Sequence, residues 1–383
     1  MTRTVLIVAG EASGDALGAG LVRAAQRIAP DVRFVGVGGE KMREAGVEIL
    51  VDAGEIAVVG ILEVLSRLPR ILEARRCLRR ALRELRPFRV LLIDYPDFNL
   101  RFAADAHRAG VPVHYFVSPQ VWAWRAGRVG TIARLVDRMM VVFPFEEEIY
   151  RRAGVPVVFV GHPLLDMEPP PRGRDEARRS LGIAPDRRVL ALLPGSRRGE
   201  VTALLPVQLA AASRLRASRP DLEVVLPIAS TVPEGLVESL ASSANAGWLR
   251  SARGGFHDVL DAADAAVVAS GTATLQTGLR GTPMVVVYRT NPVTAWLGRR
   301  LLRVPDIALV NLVAGERIVP ELLQEQCTPA AIEAAIAPVL DDPAAAARMR
   351  ERLSIVKGRL GEPGAFARAA GLLLEEVPPQ GRV

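Results

Sequence analysis

Thr4-Val5-Leu6-Ile7-Val8-Ala9-Gly10-Glu11-Ala12-Ser13-Gly14-Asp15 stands near the start of the chain, six apolar or β-branched residues running into a turn of small ones. An apolar run this short reads as a buried strand, and the helix-like text of residues 16–29 after it makes a strand, turn and helix in sequence. A secretory signal would close on a small-residue cleavage site, whereas this run passes directly into Gly10-Glu11. The turn also places small residues at a helix N-terminus, where anions are favoured. It is not a GxGxxG and has no Lys-Ser/Thr of a P-loop, so nicotinamide or ATP binding gains little support; a tight strand-to-helix turn explains it equally well.

The same alternation recurs outward from this unit. Strands are expected at 33–37, 90–94, 113–117, 139–143 and 157–160, with amphipathic stretches between them, the pattern of a parallel sheet with crossover helices. Residues 166–176 contain Pro169-Pro170-Pro171-Arg172-Gly173 and break the pattern, marking a linker. The alternation restarts with strands at 189–193, 222–228, 265–269 and 284–288. Helices follow at 330–340, 344–359 and 365–376. The fold class is therefore α/β, two Rossmann-like domains facing across a cleft, one over 1–166 and one over 177–383 with terminal helices that pack back on the N-terminal half. Open α/β sheets bind ligands at the carboxyl ends of their strands.

Composition bounds the rest. The chain has 383 residues, of which 50% are hydrophobic and 24% charged, which excludes disorder and fits two ordinary cores. Cys77 and Cys327 lie far apart with no metal-ligand spacing, so no disulfide framework or zinc site is encoded, and a reducing cytoplasm fits. The net charge of +7 is carried almost wholly by arginine, suited to phosphate and interfacial pairs. No window has the roughly 20 apolar residues of a spanning helix, so membrane contact is expected to be peripheral.

Three features carry chemistry. Leu193-Pro194-Gly195-Ser196-Arg197 leaves a strand for a helix start, bringing N–H groups, a hydroxyl and a guanidinium together as a diphosphate requires; Ser270-Gly271-Thr272-Ala273-Thr274-Leu275-Gln276 repeats the arrangement at a later strand end. Either alone would be an ordinary N-cap. Ile93-Asp94-Tyr95-Pro96-Asp97-Phe98-Asn99 supplies acid–base candidates, with Asp97 able to take a proton from an attacking hydroxyl; capping of strand and helix by Asp94 and Asp97 is the competing account. His162 ends a strand near the linker, where a structural role is the simpler one. Residues 62–86 mix aliphatics with Arg76, Arg79, Arg80 and other arginines, and Trp122, Trp124 and the Trp296-Leu297-Gly298-Arg299-Arg300 stretch add interfacial anchors, a pattern that suits an anionic membrane surface or a plain solvated helix face.

At these residues the sequence resembles the lipid-A-disaccharide synthases. The resemblance runs through Gly10 to Asp15, Gly36-Val37-Gly38-Gly39, Asp94-Tyr95-Pro96-Asp97-Phe98-Asn99, Ser118-Pro119-Gln120-Val121-Trp122-Ala123-Trp124-Arg125, Gly161-His162-Pro163, the two anion loops and Pro320-Glu321-Leu322-Leu323-Gln324. Their order and spacing together are specific where each alone is weak. The resemblance implies a GT-B-type, metal-independent inverting glycosyltransferase without a cofactor, joining UDP-2,3-diacylglucosamine to 2,3-diacylglucosamine 1-phosphate to give a β-1,6-linked disaccharide phosphate and UDP, in lipid A synthesis of Gram-negative bacteria. It implies Asp97 as general base; Gly195, Ser196, Arg197, Ser270, Gly271, Thr272, Gln276, Asn311 and Gln324 on the UDP side; Glu11, Ser13 and Gly14 in a cleft loop; and Arg76, Arg79, Arg80, Trp122 and Trp124 toward acyl chains and the anionic inner membrane. Partners are thus the two lipid substrates and a membrane surface, with no nucleic acid; a homodimer is left open.

Two positions depart from the family pattern. Gln276 stands where Glu is common, and Ala308-Leu309-Val310 precedes Asn311 where Pro is common. The nearest alternatives are a UDP-N-acetylglucosamine 2-epimerase or a peptidoglycan-type transferase of the same architecture, and a non-catalytic basic binding protein. The Pro-Asp-Phe-Asn and Ser-Pro-Gln-Val-Trp segments argue against the first two, and paired anion loops beside a carboxylate against the third.

Overall fold

A computed structural model of the chain describes residues 3–56, 61–122, 127–290 and 306–375; for 61–66 it describes the backbone alone. The chain divides into two compact units, Met1–Met167 with Leu360–Val383, and Glu168–Arg359.

The first unit is built on seven parallel strands, β1 (Thr4–Ala9), β2 (Arg33–Gly38), β3 (Glu48–Asp52), β4 (Arg89–Ile93), β5 (Val113–Phe116), β6 (Arg138–Val141) and β7 (Val157–Phe159), in the order β3-β2-β1-β4-β5-β6-β7. The second has six, β8 (Arg188–Leu193), β9 (Leu222–Ile228), β10 (Leu249–Arg253), β11 (Ala265–Ala269), β12 (Met284–Tyr288) and β13 (Glu321–Leu323), in the order β10-β9-β8-β11-β12-β13. Helices cover the sheets, so the central strands are buried on both faces: Val5, Leu6, Ile7 and Val8 in β1 and Val189, Leu190, Ala191 and Leu192 in β8 are each 0% exposed. Each large aliphatic among them contributes roughly 1.5–3 kcal/mol on burial.

β3, β10 and β13 are absent from the sequence expectation. All three are edge strands. Leu249-Arg250-Ser251-Ala252-Arg253 is largely exposed and β13 has only three residues, so neither carries the apolar run that marks a buried strand.

The division of the chain differs in detail from the expected 1–166 and 177–383. Asp166 and Met167 close a short helix, Leu164–Met167, in the first unit, and Glu168 begins the second. Of the terminal helices, Pro329–Asp341 and Pro343–Arg359 lie in the second unit and Ala365–Leu374 in the first. There the Asp166 carboxylate accepts the N–H groups of Gly364 and Phe366. The helix packs on Ala12–Ile28, where a Cβ at Gly20 would lie 2.5 Å from the Phe366 ring, so the small residue makes room for the aromatic one.

Candidate active site

Strand order in the first sheet reverses between β1 and β4, which pair in parallel, so the loops leaving their carboxyl ends adjoin at the point where α/β sheets bind ligands. The two loops interlock: a Cβ on Gly10 would lie 2.2 Å from the Tyr95 ring. After β4 both Asp94 and Tyr95 adopt φ of 45°, a left-handed conformation uncommon for a bulky residue and found where surroundings enforce it. The enforcement is visible. Tyr95 O–H donates to the Ile56 carbonyl at 2.5 Å, and Asn99 Nδ2 donates to the carbonyls of Ile93 (3.1 Å) and Asp94 (2.7 Å).

This turn starts the helix Pro96–Arg108 and places Asp97 in its first turn, 68% exposed and ion-paired with Arg128. Asp94 is far less solvated. Burial pushes its carboxyl up to about 6, the charge of Glu11 adds to the rise, and the Tyr95 N–H opposes it. The fold thus brings Glu11 and Asp97 to one place together with Asp94, the other acid of that motif. Ser13 and Gly14 are not in a loop: the helix Ala12–Ile28 begins before them. The last residue of that motif, Asp15, is buried and accepts N–H groups of Gly39 (2.7 Å), Met42 (3.0 Å) and Lys41 (3.1 Å), which makes it the cap of the helix Glu40–Glu44.

The second sheet reverses between β8 and β11, again a parallel pair, and brings residues 194–197 beside 270–272. Gly195 has φ of 109°, a conformation open to glycine, and Arg197 precedes the helix Arg198–Ala217 with 64% of its side chain exposed. The amides here already hold an anion. Glu200 Oε2 accepts from Ser196 N (3.1 Å) and Arg197 N (3.3 Å), and its Oε1 faces Arg197 Nη1 at 3.3 Å. After β11, Ser270 Oγ donates to the Ile307 carbonyl at 3.2 Å, Gly271 has φ of 152°, and exposed Thr272 opens the helix Thr272–Leu279.

Comparison with known proteins identifies the fold and the family. A family model for lipid-A-disaccharide synthetase matches residues 5–361. The chain belongs to the lipid-A-disaccharide synthetase family. It is 51% identical over 376 residues to the lipid-A-disaccharide synthase of Geobacter sulfurreducens, covering 98% of both chains, and 48% identical over 379 residues to that of Myxococcus xanthus, covering 99% of this chain and 98% of that one. Among solved structures it is similar to the UDP-GlcNAc 2-epimerase of Neisseria meningitidis bound to UDP-GlcNAc (TM-score 0.67, 12% identity, 98% and 100% of the two chains) and to the calicheamicin glycosyltransferase CalG4 (TM-score 0.62, 18% identity, 99% and 100%). At those identities the likeness is one of fold, the GT-B arrangement of two α/β units. The chain is a glycosyltransferase of lipid A synthesis.

Several residues that the resemblance assigned to ligands have other work in the structure. Asn311 is buried, and its amide is fully used: Nδ2 donates to the Val319 carbonyl (3.0 Å) and Glu321 Oε1 (2.7 Å), while Oδ1 accepts from Ile318 N (2.9 Å) and Val319 N (3.0 Å). It stitches the helix Leu309–Ala314 to β13, so its amide is spent within the unit. Gln324, at the end of β13, has φ of 51° and accepts Thr290 N at 3.2 Å. Gln276 donates to Glu168 Oε1 at 2.7 Å, and Glu168 also pairs with Arg280 (3.1 Å). A glutamate at 276 would face that carboxylate, which accounts for the amide here. Beside them a pocket of about 270 Å³ is lined by Pro169, Arg172, Phe256 and His257.

On the first unit, residues 61–85 form one helix. Arg76 is exposed, but Arg79 faces the buried Asp105 at 3.8 Å and Arg80 pairs with Glu84 at 2.7 Å, so only part of the expected basic face is unspent on intramolecular ion pairs. Leu68 and Leu72 are 39% and 43% exposed on it. Trp122 is not an exposed anchor: its Nε1–H donates to the buried Glu146 at 3.3 Å and its ring meets Phe145 edge-on. Trp124 and residues 296–303 lie outside the described residues. No helix among the described residues is long and apolar enough to cross a membrane.

Proposed function

We propose that the chain condenses UDP-2,3-diacylglucosamine with 2,3-diacylglucosamine 1-phosphate, giving the β-1,6-linked disaccharide 1-phosphate and UDP. The acceptor 6-hydroxyl attacks the anomeric carbon as the bond to UDP breaks, in one inverting displacement with no covalent enzyme intermediate. The observation that carries the reading is that each sheet's strand-reversal point bears a different charge, three carboxylates (Glu11, Asp94, Asp97) on one and Arg197 with two helix starts on the other, in a chain of this family.

Asp97 takes the proton of the 6-hydroxyl, with Arg128 fixing the direction of its carboxylate. Arg197 neutralises charge growing on the leaving diphosphate, and the N–H and hydroxyl groups of Ser196 and residues 270–272 hold it, a reading supported by the Glu200 carboxylate that the Ser196 and Arg197 amides bind. Gln276 and Gln324 lie toward the nucleotide. A second reading rests on a specific observation: Asp94, desolvated and titrating at about 6, is the better matched base near neutral pH if the acceptor reaches it. The exposed Arg76, Leu68 and Leu72 face the inner-membrane surface in which both lipids reside.

The test is a mass-spectrometric assay of purified protein with both lipids in the presence of EDTA. Disaccharide phosphate with stoichiometric UDP is the expected result; UDP binding without product would return the acceptor assignment to the epimerases and other transferases of this fold.

A further inference from the structure

Glu146 is a carboxylate that the reading above does not use, and it is 1% exposed. It lies in the helix Pro144–Arg152, and its side-chain partners, Ser118 and Trp122, belong to one segment. Ser118 Oγ lies 2.7 Å from its Oε1, Trp122 Nε1 donates to the same oxygen at 3.3 Å, and Phe143 N donates to Oε2 at 3.3 Å. The segment it grips starts from an enforced conformation: Val117 has φ of 63°, in the region that β-branched residues avoid. Six residues beyond Trp122 stands Arg128, the partner of Asp97.

We propose that Glu146 is a positioning residue for the transfer reaction: it fastens residues 118–122, the stretch that precedes in sequence the helix from which Arg128 pairs with the Asp97 carboxylate. The proposal rests on Asp97 being the base.

Ser118 Oγ also lies 3.1 Å from the Pro119 carbonyl, which gives the clasp two hydrogen-bonded forms. With Glu146 protonated, its O–H donates to Ser118 Oγ and the serine donates to Pro119; with Glu146 ionised, the serine turns and donates to the carboxylate. Burial raises this carboxyl to about 7, against the donations of Ser118, the Phe143 N–H, Trp122 and the Val142 N–H, so both forms are populated near neutral pH. The other titratable groups around it are Tyr150 on its own helix, whose phenol burial holds protonated, and Glu147, which accepts Phe159 N; His162, its ring tilted against Phe143 at 5.1 Å between centroids, is driven down to about 4 by burial and stays neutral. Tyr150 and His162 thus keep their charge through neutrality, and a transition there reports on Glu146.

Four tryptophans make the indole N–H resonances of 15N-tryptophan-labelled protein resolvable, and Trp122→Phe assigns the relevant one. In substrate-free protein the Trp122 resonance is expected to titrate with a midpoint of about 7, and Glu146→Gln, which mimics the protonated form, to remove that transition while keeping the fold. Glu146→Ala is expected to lower kcat at least about tenfold with KM for the UDP-sugar held within about twofold, and Ser118→Ala, which leaves the carboxyl in place, to lower it less. A Trp122 resonance flat through neutral pH, or full turnover in folded Glu146→Ala, overturns the proposal. Because the resonance is read without substrate, failure of the base assignment, seen as full activity of Asp97→Asn, is a separate result.

Discussion

The two sheets share a topology and differ in what they place at its reversal point. Between β1 and β4 the loops carry Glu11, Asp94 and Asp97 around a strained turn; between β8 and β11 they carry Gly195, Ser196, Arg197 and residues 270–272 around two helix starts. In the proposed reaction one point removes a proton and the other binds the leaving anion. The backbone supplies the same geometry twice, and the chemistry is assigned by side-chain charge and by how far water is excluded from it.

The sharpest way to break that contrast is within the carboxylate group. Asp97→Asn is expected to lower kcat by at least about 100-fold. Asp94→Asn is expected to cost about tenfold or less, and to erase any inflection near pH 6, since the Asp94 carboxyl is neutral below about 6 and charged above it. The reverse ranking, measured as kcat against pH for both variants, would move the base to Asp94.

A smaller effect sharpens the other side. Asn311→Ala leaves two buried N–H groups and the Glu321 carboxylate short of a partner, at a cost of roughly 3 kcal/mol in unfolding free energy, read by denaturant titration. UDP affinity of the folded variant is expected to stay within about twofold. A large loss of UDP affinity in a variant of normal stability would restore Asn311 to the nucleotide site.

Much of this organisation is legible from the chain. Central strands such as Val5 to Ala9 announce themselves because burial on both faces demands an unbroken apolar run, and the anion loops because small residues must follow such runs. Edge strands do not: Leu249–Arg253 is held by its pairing to β9 rather than by its side chains. At the candidate site, motifs single out Asp97 and Arg197, but they do not separate ligand contact from scaffolding. Asp15 and Asn311 sit in motifs as prominent as theirs and spend their polar atoms on backbone N–H and C=O groups or on Glu321. Glu146 has no local signature, since Ser118 is 28 residues away and only the packing of the Pro144–Arg152 helix brings them together. The raised Asp94 carboxyl likewise depends on desolvation by neighbours from other strands.

The division of labour between the two reversal points is tested most directly by calorimetric titration of UDP into Arg197→Ala and Asp97→Asn. Arg197→Ala is expected to weaken UDP binding at least about tenfold, the loss of a charge-assisted contact, while Asp97→Asn binds UDP as the unaltered protein does. Equal UDP affinity in all three proteins, or a loss confined to Asp97→Asn, would contradict the account.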